Sequence, residues 1–343
     1  MSLPDSNFLS APLWLVTTLH VVTLSLHLLA MNFLFGGILI VLRAGSAGRW
    51  QDPAVKKLVR MFPTAMAATV TLGIAPLLFL QLVFPRQVYS AAIVSGWLWL
   101  MVIPVVIAAY YSLHRASLKA DEATAAKRTS LLLALLGMLY VSLVFSSVFS
   151  MAERPGLIHS LYAHDQSGFL LNPEAGDYFL RWLHMILGAA TVGGFFAGII
   201  GKDDPAAYAS GRSLYLWGMV SASLAGIGYL IVLRPFLPVY MHTPGIGALS
   251  VAIILSLGSL HMFFVKKFLP SGLMLFASLI GMVTARHYVR LVKLQGQFNP
   301  SSLRVATQWS PLILFLICFV IMIAALVYLL RLFFSTGRTE AQE

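Results

Sequence analysis

The chain has 343 residues, of which 59% are hydrophobic and 10% charged, with a formal net charge of +11 and a mean hydropathy of +0.85. A water-soluble domain carries about a quarter of its residues as charged groups, so this composition excludes one and points to an integral membrane protein. Apolar runs of about 20 residues match helices that cross a ~30 Å hydrocarbon core, and their lack of two-residue alternation excludes barrel strands.

Taken in chain order, nine spans are predicted near 12–42, 63–84, 91–113, 129–150, 178–200, 212–233, 246–265, 269–290 and 309–332. They read as one all-α transmembrane bundle over residues 1–343, with no internal repeat and no soluble domain. The first run is too long for a secretory signal and has no basic stretch before it, so it is expected to be retained. Breaks fall at turn-forming residues: Gly45 and Gly48, Pro85, Asp203-Asp204-Pro205, Pro235 and Pro238, Pro270, and Asn299-Pro300. Only the connection 151–177 is long.

Lys and Arg encode orientation. Arg43, Arg49, Lys56, Lys57 and Arg60 follow span one, Arg115, Lys119, Lys127 and Arg128 follow span three, and Lys266-Lys267 follow span seven. These share a side if the N-terminus is outside and the C-terminus cytoplasmic. Basic residues spread through short connections, with no continuous stripe between aromatics, make the lipid bilayer the partner and exclude nucleic acid. Arg286, Arg290, Lys293 and Arg304 break the rule. They fall outside with no acid among them, a grouping suited to holding anions at the outer surface. The single cysteine, Cys318, sits in the last span and excludes disulfides and thiolate metal sites within the chain.

His20 and His27 share one face of span one, ~10 Å apart along the axis. His184 lies one to two turns into span five from the outer side, His242 just before span seven, and His287 at the outer end of span eight. His159 and His164 occupy the outer connection, His114 and His261 the inner side. Ionisable groups in lipid are costly and mark function, here haem ligation, another metal centre or a proton path. Zn and non-haem iron recruit carboxylate or Cys beside His, proton paths favour carboxylates, and no Asp or Glu is read inside a span. Haem needs only imidazole or thioether ligands. Span five adds small residues, Gly188 and Thr191 at i+4 and i+7 from His184 with Gly193, Gly194 and Gly198 beyond, where a planar ligand or another helix can approach. Arg181 shares a face with His184. Arg286 flanks His287, and Arg290 follows one turn later; guanidinium forks onto carboxylates such as propionates. The bland alternatives are interhelical hydrogen bonds for the histidines and snorkelling to lipid phosphate for the arginines. Asn32 is a candidate for orienting His27.

Three stretches carry a resemblance. "HLLAMNFLFGGILIVL" from His27, "RWLHMILGAATVGGFFAGIIGKDD" around His184, and the tail from "ARHYVRLVKLQGQFNP" through "WSPLILFLICFVIMIAALVYLLRLF" resemble the first, fifth and last two helices of subunit I of the cytochrome bd quinol oxidases. The likeness covers most of the chain. It implies that His27, followed nine residues later by Gly36, ligates a high-spin haem and that His184 ligates a low-spin haem b. His20 has no counterpart in the family. The departures are informative. The family's helix-three Glu is absent from "AAIVSGWLWLMVIPVVIAAYYSL", Met282-Val283-Thr284 replace the acid before its "GRQPW" motif, and its quinol loop is cut to "RPFLPVYMHTPG". Its second low-spin ligand, a Met near the start of helix seven, leaves Met241, His242 or a residue of another helix as candidates, with His242 preferred.

The resemblance therefore implies two or more haem b groups, with His27, His184, His20 and His242 as candidate iron ligands and His287, Arg181, Arg286, Arg290 and Met241 as further cofactor contacts. The expected activity is electron relay near the periplasmic face, between a c-type or multihaem cytochrome and a membrane donor or acceptor such as quinone. This would occur within a hetero-oligomeric respiratory complex of the bacterial inner membrane. The alternatives are a divergent terminal oxidase that reduces dioxygen, and a non-redox haem-handling protein.

Overall fold

The computed structural model describes residues 8–9, 11–122, 125–306 and 309–339. Thirteen α-helices dominate these residues: α1 (Leu13–Ser46), α2 (Pro53–Val83), α3 (Pro85–Val94), α4 (Gly96–Leu100), α5 (Val102–Leu118), α6 (Ala125–Met151), α7 (Pro155–His164), α8 (Ala175–Ile200), α9 (Pro205–Val232), α10 (Leu237–Tyr240), α11 (Pro244–Phe264), α12 (Phe268–Lys293) and α13 (Trp309–Thr339). Two-residue strands Phe8–Leu9 and Arg304–Val305 pair in parallel beside them. Among the described residues nine helical segments are long and apolar enough to cross a membrane, the third made of α4 and α5 in succession. The chain thus has the all-helical build of a multi-pass membrane protein.

Prolines set many helix starts. Pro53, Pro85, Pro155, Pro205 and Pro244 all stand in the first turn, where a missing N–H removes no helical bond and the fixed φ is already helical. Two expected boundaries shift for this reason. α2 begins at Pro53, not near 63, and α1 runs on to Ser46, so most of the expected connection 43–62 is helical; α2 continues through Pro63 and Pro76. α9 begins at Pro205, not near 212, with Asp204 accepting from the N–H groups of Ala206 (2.9 Å) and Ala207 (3.3 Å). The long connection 151–177 contains α7.

The centre of the bundle is the contact of α1 with α8; α2 lies on α1, α9 on α8, and the pairs α5–α6 and α11–α12 flank them. A methyl group at Gly36 would fall 2.6 Å from Gly193 Cα, and one at Gly193 would fall 2.9 Å from Gly37 N, so the two backbones touch where neither carries a side chain. α11 and α12 are joined by hydroxyls: Ser259 Oγ donates to Ser271 O and Ser271 Oγ to Ser259 O, both 2.7 Å. α13 buries none of its apolar window, and an edge contact of Phe315 with Phe79 at 5.2 Å attaches it to α2. The end of the bundle where the chain enters α1 is termed the entry end, and the opposite one the far end.

Leucine at position 193 would overpack the α1–α8 seam, an error that costs roughly 1–3 kcal/mol in a filled core. Gly193→Leu should lower the melting temperature of the purified protein by several degrees, while Gly247→Leu, where a Cβ meets nothing within 4 Å, should leave it near wild type. Equal melting of the two variants would contradict the seam.

Candidate functional site

Three of the sequence-selected histidines make the same bond. His27 Nδ1 lies 2.9 Å from the carbonyl of Thr69, His184 Nδ1 2.8 Å from that of Ala222, and His20 Nδ1 3.0 Å from that of Pro76. A carbonyl can only accept, so Nδ1 carries the proton in each ring and Nε2 keeps its lone pair. Donation of one ring N–H to a backbone carbonyl is how metal-ligating imidazoles are oriented and made more basic. Glycine makes room for two of the rings. A Cβ at Gly73, one turn after Thr69, would sit 2.8 Å from His27 Nδ1, and one at Gly226, one turn after Ala222, 3.0 Å from His184 Nδ1.

These matched positions correct the expected lack of an internal repeat. His27, Gly36 and Gly37 recur at the same spacing as His184, Gly193 and Gly194. On the partner helices Phe62, Thr69 and Gly73 recur as Tyr215, Ala222 and Gly226. Gly37 meets the Phe62 ring, and Gly194 the backbone of Tyr215. The α1–α2 and α8–α9 pairs thus share this pattern of positions and meet at Gly36 and Gly193. The repeat breaks at its outermost position, where His20 matches Asp177 and Pro76 matches Tyr229.

The small-residue face of α8 serves mainly helix packing. Gly193 meets α1, Gly194 and Thr191 meet α9, and Gly198 receives the Phe263 ring. Gly188 alone, one turn from His184, has nothing within 4 Å of a built Cβ. Asn32 is buried but does not orient His27: its Oδ1 has no partner, and Thr69 holds the ring.

At the entry end the arginines behave differently from expectation, because a carboxylate reaches them from another part of the chain. Glu153, just after α6, is fully buried and receives Arg286 Nη2 in a short ion pair, with Arg290 Nε at 3.6 Å, Lys293 Nζ at 3.5 Å and Arg181 Nη1 at 3.8 Å. Lys293 also pairs closely with Asp177, an acid that lies inside α8 and so corrects the reading of acid-free spans. Arg181 Nη2 donates to Ser146 O at 2.6 Å. Burial alone would raise the Glu153 carboxyl, but Arg286, Lys293, Arg181 and Arg290 outweigh it and hold the group down at about 2. Four cations face two carboxylates, which leaves two positive charges in excess. Arg181 Nη1, Arg286 Nη1, His287 Nδ1 and Tyr229 Oη are buried there with no hydrogen-bond partner, as are the carboxylate oxygens Glu153 Oε2 and Asp177 Oδ2.

The remaining candidates stand apart. Met241 (56% accessible) and His242 are exposed on the turn after α10, outside the buried group; His159, His164, His114 and His261 are exposed. Glu153 was missed because it sits in a connection that reads as solvated, with Arg154 and Pro155 after it. Its one signal was a lone acid directly after an apolar span, matching the unpaired outer cations. No family model matches the chain, and no curated protein matches it.

Removing one partner of a buried ion group costs about 3–5 kcal/mol, because the others are left uncompensated. Glu153→Ala should therefore strongly lower the melting temperature at neutral pH. The carboxyl is depressed from 4.5 to about 2, so its contribution is complete above the ordinary value and is lost as pH falls from there towards 2. Glu153→Gln should flatten that acid limb in a melting-temperature series; an unchanged limb would show that the cluster does not set it.

Proposed function

We propose that the protein is a membrane cytochrome b, divergent from subunit I of the cytochrome bd quinol oxidases. It relays electrons between a c-type or multihaem cytochrome and a membrane donor or acceptor such as quinone, within a hetero-oligomeric complex of the bacterial inner membrane. The observation that carries this reading is the repeated imidazole bond: His27 and His184 each give Nδ1–H to a carbonyl of the paired helix and present a free Nε2. The donor set fits haem b, which takes neutral imidazole and needs no carboxylate ligand. A bound haem would supply one-electron exchange at iron.

The chain's own groups would do the rest. His27 and His184 would hold the haem iron, and His20, which carries the same bond, would be a third such residue. Arg181 and Arg286, each with an unpartnered buried nitrogen, would take propionates against the two excess positive charges. By the Lys and Arg rule the entry end faces the periplasm, which puts these groups within reach of a cytochrome partner there. Relay is favoured over dioxygen reduction by the departures from the family: the third span and Met282-Val283-Thr284 lack the acids found at the corresponding places there.

Reduced-minus-oxidised spectra of the protein, purified in detergent, should show a haem b α-band. His27→Ala and His184→Ala should each remove one distinct component while the melting temperature stays within a few degrees of wild type. Purified folded protein with no haem absorbance, or both variants with unaltered spectra, would overturn the proposal.

A further inference from the structure

A second polar feature lies at the far end, away from the histidines, in the angle between the start of α9 and the turn after α11. A cavity of about 600 Å³ opens there, with Lys202, Arg212 and Lys266 at its polar part and Asp203 as its one acid. Among the described residues none of these three cations makes an ion pair. Arg212 lies over the Phe264 ring at 4.5 Å and Lys266 over the Tyr208 ring at 5.5 Å, contacts that fix direction while leaving the charges uncompensated. Lys266 is held with φ at 58° and is the only described non-glycine residue in the left-handed region. That conformation is uncommon for a side chain of this kind, and here it turns the ammonium back over Tyr208.

The lining follows one face of α9. Ala209 and Ser213, one turn apart with Arg212 between them in the chain, are its small residues, and Leu216 and Trp217 line its part farthest along the helix. Pro205 to Trp217 is twelve residues, or ~18 Å of helix, and Trp217 is 64% accessible on the apolar flank. One end is cationic and at the mouth of the bundle; the other is apolar and lies on a membrane-crossing helix. The far end also carries most of the basic connections, so by the same Lys and Arg rule it faces the cytoplasmic leaflet, where anionic lipids attract such groups.

We propose that this groove binds one anionic phospholipid, with the phosphate between Lys202, Arg212 and Lys266 and an acyl chain laid over Ala209 and Ser213 against Trp217. The chemistry recognised is a phosphate carried on an apolar chain. A free phosphate meets the cations but leaves the apolar part unfilled, and a zwitterionic lipid brings an ammonium that the cations repel. The proposal is independent of haem binding.

The test is lipid retention in nanodiscs of phosphatidylcholine doped with phosphatidylglycerol, read by native mass spectrometry of the released protein. Wild type should hold one phosphatidylglycerol in preference to phosphatidylcholine, and added inorganic phosphate should not displace it. Lys202→Gln with Arg212→Gln and Lys266→Asn, the last chosen because Asn tolerates the left-handed turn, should weaken retention about ten-fold or more. Ala209→Phe, which keeps every charge and fills that small position, should do the same. Each variant is first matched to wild type in melting temperature, and a variant that fails this match is replaced by its single-site members. Equal retention of the two lipids, displacement by phosphate alone, or full retention by the charge variant would overturn the proposal.

Discussion

An imidazole inside an apolar helix has two polar nitrogens and no water to satisfy them, and the arrangement of this bundle follows from how that need is met. The Nδ1–H groups of His27 and His184 reach carbonyls of Thr69 and Ala222 that are already part of helical ladders; a carbonyl has a second lone pair for this purpose. The ring fits only if the next residue on that face has no side chain, which is the place of Gly73 and Gly226. Each histidine thereby fixes the register of one helix pair, and Gly36 against Gly193 fixes how the two pairs meet. The second nitrogen of each ring is left without a partner by the same geometry.

The entry end shows the complementary constraint. Ions taken out of water are stable only when paired, and Glu153 serves as the common counter-ion of four cations drawn from α8 and α12. The pairing is incomplete: two carboxylates do not neutralise four cations, and two guanidinium nitrogens stay unpartnered in a buried setting. Two carboxylate oxygens of the same cluster, Glu153 Oε2 and Asp177 Oδ2, are unpartnered beside them. The cluster lies at the same end of the bundle as His20. The cationic groove at the far end uses the same excess of positive charge, but at a rim open to lipid.

How much of this was legible in the sequence depended on the range of the interaction. The nine apolar helices were readable because length and hydropathy are local properties, and the histidines stood out because lipid makes a polar side chain rare. Boundaries slipped where a helix runs ahead of its apolar window; Pro53 and Pro205 begin helices well before the expected spans. The repeat was hidden because Leu, Ile, Val and Phe exchange freely along a lipid-facing surface, so only the few positions at backbone contacts are kept in step. Glu153 was hidden for a different reason. Its partners lie 28 to 140 residues away in the chain, and nothing local distinguishes it from a solvated acid. The small residues of α8 were legible, while whether a ligand or another helix meets them was not; Gly193, Gly194 and Gly198 meet neighbouring helices.

The central claim is that His27 and His184 present Nε2 to iron because Nδ1 is spent on a backbone carbonyl. The most direct measurement is hyperfine spectroscopy of the oxidised protein carrying histidine labelled with ¹⁵N at Nε2 only. The account predicts a strong directly bonded ¹⁵N coupling, lost in part in each of His27→Ala and His184→Ala. A haem signal with no directly bonded ¹⁵N coupling, or no paramagnetic haem at all in folded protein, would contradict it.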